Sequence, residues 1–274
     1  MENPKKILDR LGTWPKKKLG QNFLVNLASA EKIYRFADPT PNCPVIEIGP
    51  GLGAMTEVIL NQAHPFLCIE KDKDLIPFLH EHFVTYPNFN CLEHDILTWN
   101  FDLSSYFKDK EKPWVIANLP YSITTPIIEI LFERRHQLGS LCFLLQREFV
   151  ERICAKENTK NYGRLTVWLQ CYYDVEAGPI IPPTSFHPRP KVDSRLVKLS
   201  PKKISLLQEH FITDEEAFFN LIKVVFSQRR KMLRSTLKQN NYPVESLDHS
   251  ILEQRPENLR LLDWMNLFKC LHAA

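Results

Sequence analysis

The chain has 274 residues, of which 44% are apolar, and its formal net charge is +3. A chain of this length can hold one large domain, or one large and one small domain. It has no apolar run near the roughly 20 residues that a membrane-spanning helix needs, and its basic N-terminus lacks the apolar core of a secretory signal, so we expect a cytoplasmic protein.

The cysteine pattern points to the same compartment. Seven cysteines are scattered along the chain, and none forms a C-x-x-C pair. Most lie in apolar runs, which is typical of reduced thiols in the core of a cytosolic protein. The sequence therefore predicts neither a disulfide framework nor a zinc site.

The N-terminal segment 1–24 is basic and polar but contains apolar positions near its end. In an unattached tail, Phe23 and Leu24 would stay exposed to water and bury little apolar surface. We therefore infer a lid that folds over a crevice. A segment that only covers the edge of a sheet explains the same pattern.

Strand-like and helix-like segments alternate from residue 43 onward. This order predicts an α/β fold with a doubly wound, mostly parallel sheet and helices on both faces. Two later runs, 165–172 and 195–199, are predicted to be closing strands that include an antiparallel pair. The other predicted strands are 45–48, 65–69, 89–92, 114–117 and 140–145, and the predicted helices are 56–62, 73–83 and 125–134.

The pattern changes near residue 200. We predict one domain over 1–200 and a small all-helical domain over 201–274. At about 100° per residue, the stretch 218–238 places apolar side chains on one face of a single helix and cations on another. Those cations are Lys223, Arg230, Lys231, Arg234 and Lys238.

Three stretches of the chain, 1–20, 186–203 and 221–240, are rich in lysine and arginine. One such stretch is usually a solvated surface, but three on a nearly neutral chain favour contact with nucleic acid. The candidate contacts are Lys16, Lys17, Lys18, Arg189, Lys191, Lys223, Arg230, Lys231 and Arg234.

Polar residues follow the ends of three successive predicted strands. The turn Gly49-Pro50-Gly51-Leu52-Gly53 follows the first and lets the backbone approach a ligand closely. Glu70, 21 residues after Gly49, ends the second, where an acid fits the hydroxyls of a ribose. Asp95 follows the third and can accept a hydrogen bond from an adenine amino group. Because these strand ends meet at one edge of a parallel sheet, we expect them to line one crevice.

A fourth strand is followed by Asn118-Leu119-Pro120-Tyr121. The Asn118 amide oxygen can accept a hydrogen bond from an exocyclic amino group. Pro120 stiffens the turn so that backbone carbonyls also face a ligand, and Tyr121 offers a ring for stacking. This combination is suited to holding a flat, amino-bearing base.

Together these motifs resemble the ribosomal RNA adenine dimethyltransferase family over about residues 16–270. The small-subunit branch fits better than the large-subunit, antibiotic-resistance branch because of Leu119-Pro120-Tyr121 and the Arg-Arg-Lys run. Arg195 departs from the family pattern, which often has a small residue there. The matching stretches are 21–24, 47–53, Glu70, 95–96, 118–121, 146–148, 186–194, 226–231 and 255–259.

The resemblance implies the Rossmann-like fold of class I S-adenosylmethionine-dependent methyltransferases, with S-adenosylmethionine as methyl donor and no metal. The implied acceptor is a pair of adjacent adenines in a small-subunit rRNA hairpin, within a pre-ribosomal particle, and the implied state is a monomer. Asn118, Pro120 and Tyr121 would hold the target base. The donor would contact Asn22, Leu24, Gly49, Gly51, Glu70, Asp95 and Asn118.

Three rival interpretations stay open at this point. A dinucleotide-dependent dehydrogenase explains the glycines and Glu70, but it leaves residues 118–121 and the basic helix without a role. A DNA adenine methyltransferase shares the chemistry. A ribosome-assembly factor whose catalysis is secondary would also contact RNA.

Overall fold

A seven-stranded sheet is the central element of the fold, in the order β4-β3-β2-β5-β6-β9-β7. The first five of these strands run parallel, and β9 is antiparallel to β6. A separate antiparallel pair joins β1 to β8. The predicted mostly parallel α/β sheet is confirmed. The strands are β1 Phe23–Leu24, β2 Val45–Ile48, β3 Phe66–Glu70, β4 Cys91–Glu93, β5 Trp114–Asn118, β6 Leu141–Gln146, β7 Tyr173–Ile181, β8 Phe186–His187 and β9 Ser194–Pro201.

Helices connect the parallel strands and build the C-terminal part of the chain. β2 and β3 are buried along their whole length, as expected of strands covered by helices on both faces. The helices are α1 Pro4–Arg10, α2 Leu27–Ala37, α3 Ala54–Leu60, α4 Ile76–His82, α5 Thr124–Glu133, α6 Arg147–Ile153, α7 Arg164–Tyr172, α8 Leu206–Glu209, α9 Glu215–Ser227, α10 Leu233–Gln239, α11 His249–Leu252 and α12 Leu261–His272.

The chain divides into two compact units, one formed by 1–150 with 176–200 and the other by 151–175 with 201–274. This division differs from the single boundary predicted at residue 200, since 151–175 groups with the C-terminal helices. Val167 and Cys171 are buried in the apolar cluster of that helical unit. The computed structural model describes residues 3–107, 112–245 and 247–272.

The prediction of a strand over 165–172 is wrong, because these residues form α7. A short apolar run does not distinguish a strand from a buried helix by its pattern alone. The Thr166 hydroxyl accepts from the Gly163 N–H (3.1 Å) and donates to the Arg152 carbonyl (2.7 Å), so the first turn of α7 is held partly by a residue outside the run.

The prediction of one continuous helix over 218–238 is also wrong. α9 ends at Ser227, and α10 begins at Leu233. The Leu233 N–H donates to the Gln254 carbonyl (2.8 Å) and not to its own preceding turn. Arg229 within the break donates to Glu257 (2.7 Å). Long-range hydrogen bonds therefore replace helical ones at this break.

The described residues contain no helix that is both long and apolar enough to span a bilayer. Within the same ranges, no group of three or more His, Cys, Asp or Glu side chains is placed to hold a metal ion. The cysteines are free thiols: four are buried, two are half-buried, and Cys270 is exposed.

His64 joins α2 to the segment before β2 as a neutral imidazole. Its Nδ1 lies 2.9 Å from the Cys43 carbonyl, which can only accept, so Nδ1 carries the proton. Nε2 therefore accepts from the Tyr34 hydroxyl (2.7 Å). Burial lowers the pKa of His64 from its usual 6.5, with the Cys43 hydrogen bond opposing that shift.

We expect the free energy of unfolding to fall as the pH drops below 6.5. Below that pH the unfolded chain protonates His64 more readily than the folded chain does. The free energy of unfolding then falls by at most about 1.4 kcal/mol per pH unit from this group. Urea unfolding at pH 7.5, 6.5 and 5.5 measures it, with His64→Gln as the non-titrating control. Equal pH slopes in the two proteins would contradict this assignment.

Candidate active site

One cleft collects the ends of four parallel strands and part of the N-terminal segment. The predicted donor-binding and base-holding residues all line it, so the structure brings them together at one edge of the sheet. Their individual roles stay predictions. The cleft is lined by Asn22, Leu24, Glu47, Gly49, Gly51, Glu70, Lys71, Asp95, Asn118, Leu119, Pro120, Tyr121 and their neighbours.

The glycine turn between β2 and α3 provides bare backbone at the floor of the cleft. Gly49 and Gly51 have φ angles of +68° and +59°, which L side chains rarely adopt. A Cβ at Gly49 would meet nothing within 4 Å and would project into open space. A Cβ at Gly51 would lie 2.7 Å from the Phe23 ring. Glycine at 49 therefore leaves room for a ligand, and glycine at 51 leaves room for Phe23.

Glu70 ends β3 and is only 6% exposed. One carboxylate oxygen accepts from the Gly51 N–H (3.2 Å), and the other accepts from the Asp72 N–H (2.7 Å). Burial raises the pKa of Glu70, whereas these backbone hydrogen bonds lower it. A carboxylate has about four acceptor positions, so Glu70 can still accept from a ligand hydroxyl.

Glu47 is a buried acid in the lining of the cleft, and it was not among the residues predicted from the sequence. It lies inside β2, is 1% exposed, and accepts from the Thr56 hydroxyl (2.6 Å). Burial raises its pKa to about 8, with the Thr56 hydrogen bond opposing and the Glu70 charge adding to that shift. An acid in the middle of an apolar strand was the sequence signal for it.

Asp95 follows β4 at the rim of the cleft. One oxygen pairs with Lys71 (2.6 Å), and the other accepts from the Leu97 N–H (3.0 Å). Burial alone would raise the pKa of Asp95, but the Lys71 and Leu97 hydrogen bonds lower it overall. Asp95 is thus an ionised acceptor, and Lys71 is a partner that sequence reasoning missed.

Asn118 ends β5, and its side-chain nitrogen donates to the Asn22 carbonyl (3.0 Å). Because a carbonyl can only accept, this contact identifies which side-chain atom is the nitrogen. The amide oxygen is then the Asn118 atom that can accept from a ligand. The hydrogen bond also joins the strand end to the N-terminal segment.

One backbone carbonyl in the turn after Asn118 is already hydrogen-bonded to neighbouring residues of the turn. The Pro120 carbonyl accepts from the Thr124 hydroxyl (3.1 Å) and the Ile123 N–H (3.2 Å). Among the described residues, no hydrogen bond ends on the Leu119 carbonyl. This arrangement favours Leu119 over Pro120 as a second acceptor for a ligand.

Tyr121 is held by its hydroxyl, which lies 2.7 Å from the Ser194 hydroxyl. Ser194 begins β9 and is fully buried. Burial raises the pKa of Tyr121, and the Ser194 hydrogen bond opposes that shift. The ring position is therefore set by a residue that is 73 positions away in the sequence.

The N-terminal segment is a wall of the cleft, fastened by β1 to β8. Beyond the strand pair, the Val25 N–H donates to the Ser185 carbonyl (2.9 Å). Gly20 lies so close to Pro120 and Ser122 that an added Cβ would come within 3.3 Å of both. Residues 1 and 2 of the predicted lid lie outside the described residues.

The candidate RNA contacts fall into two groups. In the larger unit, Lys17, Lys18, Arg189 and Lys191 are exposed, whereas Lys16 is ion-paired with Asp72 and Asp74. The helical unit holds the other candidates: Lys223, Arg230 and Lys231, which are exposed, and Arg234, which donates to His249 Nδ1 (2.7 Å).

Arg195, the departure from the family pattern, donates to the Gly178 carbonyl (3.0 Å). This contact joins β9 to β7. Arg195 does not line the cleft, so the departure leaves the site unchanged.

Comparison with known proteins finds relatives over almost the whole chain. The family described as Ribosomal RNA adenine dimethylase matches residues 14–273. A protein of Clostridium botulinum (strain Loch Maree / Type A3), named Ribosomal RNA small subunit methyltransferase A, is 36% identical over 276 residues, 98% of each chain. A protein of the same name from Prosthecochloris aestuarii is 38% identical over 253 residues, 92% of each chain.

Solved structures share the fold. A dimethyladenosine transferase from Plasmodium falciparum has a TM-score of 0.76 at 28% identity, covering 89% of this chain and 95% of that one. The 23S rRNA methyltransferase ErmE has a TM-score of 0.71 at 24% identity, covering 91% and 99%. The second likeness concerns the fold alone.

The parallel sheet, the glycine turn after β2 and the acid ending β3 define the class I S-adenosylmethionine-dependent methyltransferase fold. Within that class, the match over residues 14–273 and the relatives at 36–38% identity decide the family. The chain belongs to the ribosomal RNA adenine dimethylase family.

We expect Tyr121→Phe and Ser194→Ala each to lower the free energy of unfolding by about 1–3 kcal/mol, because each leaves the other hydroxyl without its partner. The double variant should lose less free energy of unfolding than the two single variants together, since both substitutions remove the same hydrogen bond. Urea unfolding measures the cycle. Ser122→Ala, which removes an exposed hydroxyl, is the control, and additive losses would contradict the coupling.

Proposed function

We propose that this protein transfers methyl groups from S-adenosylmethionine to the 6-amino groups of adenines in small-subunit ribosomal RNA, giving dimethyladenosine. The observation that carries the proposal is the orientation of Asn118, whose amide oxygen is left to accept a hydrogen bond from an amino group. Asn118 lines the same cleft as Glu70 and Asp95. The relatives at 36–38% identity, both named for the small subunit, support the choice of RNA.

Finer features of the proposal come from the family resemblance. The targets are two adjacent adenines in one rRNA hairpin, and the substrate is a pre-ribosomal particle late in assembly. The protein works as a monomer in the cytoplasm. The large-subunit alternative has weaker support, since ErmE shares the fold at only 24% identity.

The cleft fits the donor by the chemistry of its residues. The bare backbone at Gly49 leaves open space for close approach, and Gly51 extends that surface. Glu70 would accept from ribose hydroxyls, and Asp95 from the adenine amino group. Asn22, Leu24 and Asn118 would complete the donor side of the cleft. When bound, the donor supplies a methyl group already activated by a positively charged sulfur.

The main work of the protein is to prepare the acceptor nitrogen. The lone pair of an aromatic amino group is delocalised into the ring. Two hydrogen bonds from that amino group, to the Asn118 amide oxygen and the Leu119 carbonyl, favour a more tetrahedral nitrogen. The lone pair then becomes available, and alignment provides much of the rate enhancement. No general base is required, because the nitrogen loses its proton readily after methylation.

The target base must leave its stack to reach the cleft. The Tyr121 ring, held by Ser194, offers a new stacking partner worth about 1–3 kcal/mol. Fixing the ring in advance lowers the entropy cost of that contact. Transfer of a second methyl group to the same nitrogen requires space beside the first.

Labelled methyl transfer onto small ribosomal subunits that lack the modification tests the proposal. We expect label in adenines of small-subunit rRNA, identified as dimethyladenosine after nuclease digestion. Large subunits and duplex DNA are the competing substrates in parallel reactions. Label confined to either of these, or label in other bases, would overturn the proposal.

We expect Asn118→Ala to reduce kcat by at least about a hundredfold while RNA affinity changes by less than about threefold. The substitution removes an acceptor needed for reaction geometry, at a cost typical of a lost transition-state contact, but removes no phosphate contact. Single-turnover methylation and filter binding separate the two effects. Near wild-type turnover would contradict the role of Asn118.

Neutralising Arg230 and Lys231 to Gln should flatten the salt dependence of RNA binding. Each lost phosphate contact lowers the slope of log K against log salt by about 0.7–0.9. The matched control neutralises Lys32 and Lys269, which are exposed cations outside the predicted contacts. Equal slopes in the two double variants would exclude the α9–α10 break as a phosphate contact.

A further inference from the structure

Lys16 differs from its neighbours in the basic N-terminal run. Its ammonium group contacts the Asp72 carboxylate and lies 2.7 Å from Asp74 Oδ2. Lys17 and Lys18 are exposed, and across the described ranges neither forms an ion pair. A lysine held by two carboxylates is poorly suited to binding a phosphate, because RNA would have to displace both of them.

Gln21 reaches the same carboxylate from the other end of a short loop. Its side-chain nitrogen donates to Asp72 Oδ2 (2.7 Å), and its oxygen accepts from the Lys16 backbone N–H (2.7 Å). Thr13 adds a weaker hydrogen bond to Asp74 (3.3 Å). The Asp72 side chain is 2% exposed, so its charge depends on these donors for stabilisation.

Asp72 connects this loop to the predicted donor site. Its backbone N–H donates to Glu70 Oε1 (2.7 Å). On the other side, the segment that follows Gln21 forms a wall of the cleft, where the Asn22 carbonyl accepts from Asn118. The Lys16–Gln21 loop, part of which lines the cleft, is therefore fastened to Asp72, two residues after Glu70.

We infer that Lys16 and Gln21 clamp the N-terminal wall onto Asp72, and that this clamp is a determinant of affinity for S-adenosylmethionine. Lys16 is thus a positioning residue of the donor site and not an RNA contact. The inference rests on the proposed function only for the identity of the ligand.

The physical argument is that loss of the clamp leaves a buried carboxylate without its cation. An unpaired buried charge is strongly unfavourable, so Asp72 would turn toward water and the wall would lose its anchor. Burial alone would lower the pKa of Lys16, but the contacts with Asp72 and Asp74 raise it overall. Lys16 therefore stays charged at neutral pH, and the clamp persists there.

The test compares Lys16→Met with Lys6→Met, which removes an exposed cation from the same segment. Isothermal titration with S-adenosylhomocysteine needs no RNA and measures the donor site directly. We expect Lys16→Met to weaken binding about tenfold and Lys6→Met to leave it within twofold of wild type. Donor affinity at the wild-type level in Lys16→Met would overturn the inference.

Two further variants distinguish the clamp from general loss of folding. Lys16→Arg keeps the charge and should retain affinity within about threefold. Gln21→Leu should weaken binding in the same direction as Lys16→Met, and the double variant should lose less than the product of the two factors, because both residues act on one carboxylate. Independent, multiplicative losses would contradict a shared clamp.

Steady-state methylation and RNA binding complete the test. Lys16→Met should raise KM for S-adenosylmethionine with kcat nearly unchanged, and it should leave the salt slope of RNA binding at the wild-type value. A slope lowered by about 0.7–0.9 would make Lys16 a phosphate contact after all. If wild-type protein binds S-adenosylhomocysteine but methylates no rRNA, the proposed function fails while the clamp is still measured.

Discussion

The cleft depends on the buried carboxylate of Glu70. It accepts from the backbone of the glycine turn on one side and from the backbone of Asp72 on the other. Because a carboxylate that is 6% exposed must be hydrogen-bonded, these contacts hold both turns at the ends of β2 and β3. In the proposed donor site the same carboxylate would also accept from ribose hydroxyls, so one residue would both support the site and bind the ligand.

The N-terminal segment adds a wall to the cleft that the strand ends form. β1 pairs with β8, Phe23 packs against Gly51, and the Asn22 carbonyl orients the Asn118 amide. Methyl transfer depends on alignment more than on acid or base chemistry. The N-terminal wall contacts both the glycine turn and Asn118, so it would help to set the alignment in the proposed site.

Counting cations overstates the surface available to RNA. Lys16 is paired with two carboxylates, Arg229 with Glu257, and Arg234 contacts His249. Arg230 and Lys231, between the last two, are exposed in the break after α9. A single basic run thus combines side chains that hold the local structure with side chains that remain available to phosphates, and only the positions of their partners distinguish the two kinds.

Local sequence determined the parallel strands, the glycine turn and the line of Glu70, Asp95 and Asn118, because strand ends in a parallel sheet meet at one edge. It did not determine α7 or the break after α9, since the Thr166–Arg152 and Leu233–Gln254 hydrogen bonds both depend on residues outside these runs. The pairing of Lys16 with Asp72 was likewise decided by a tertiary contact. Such contacts assign each polar atom a partner from elsewhere in the chain, and residue order alone does not carry that information.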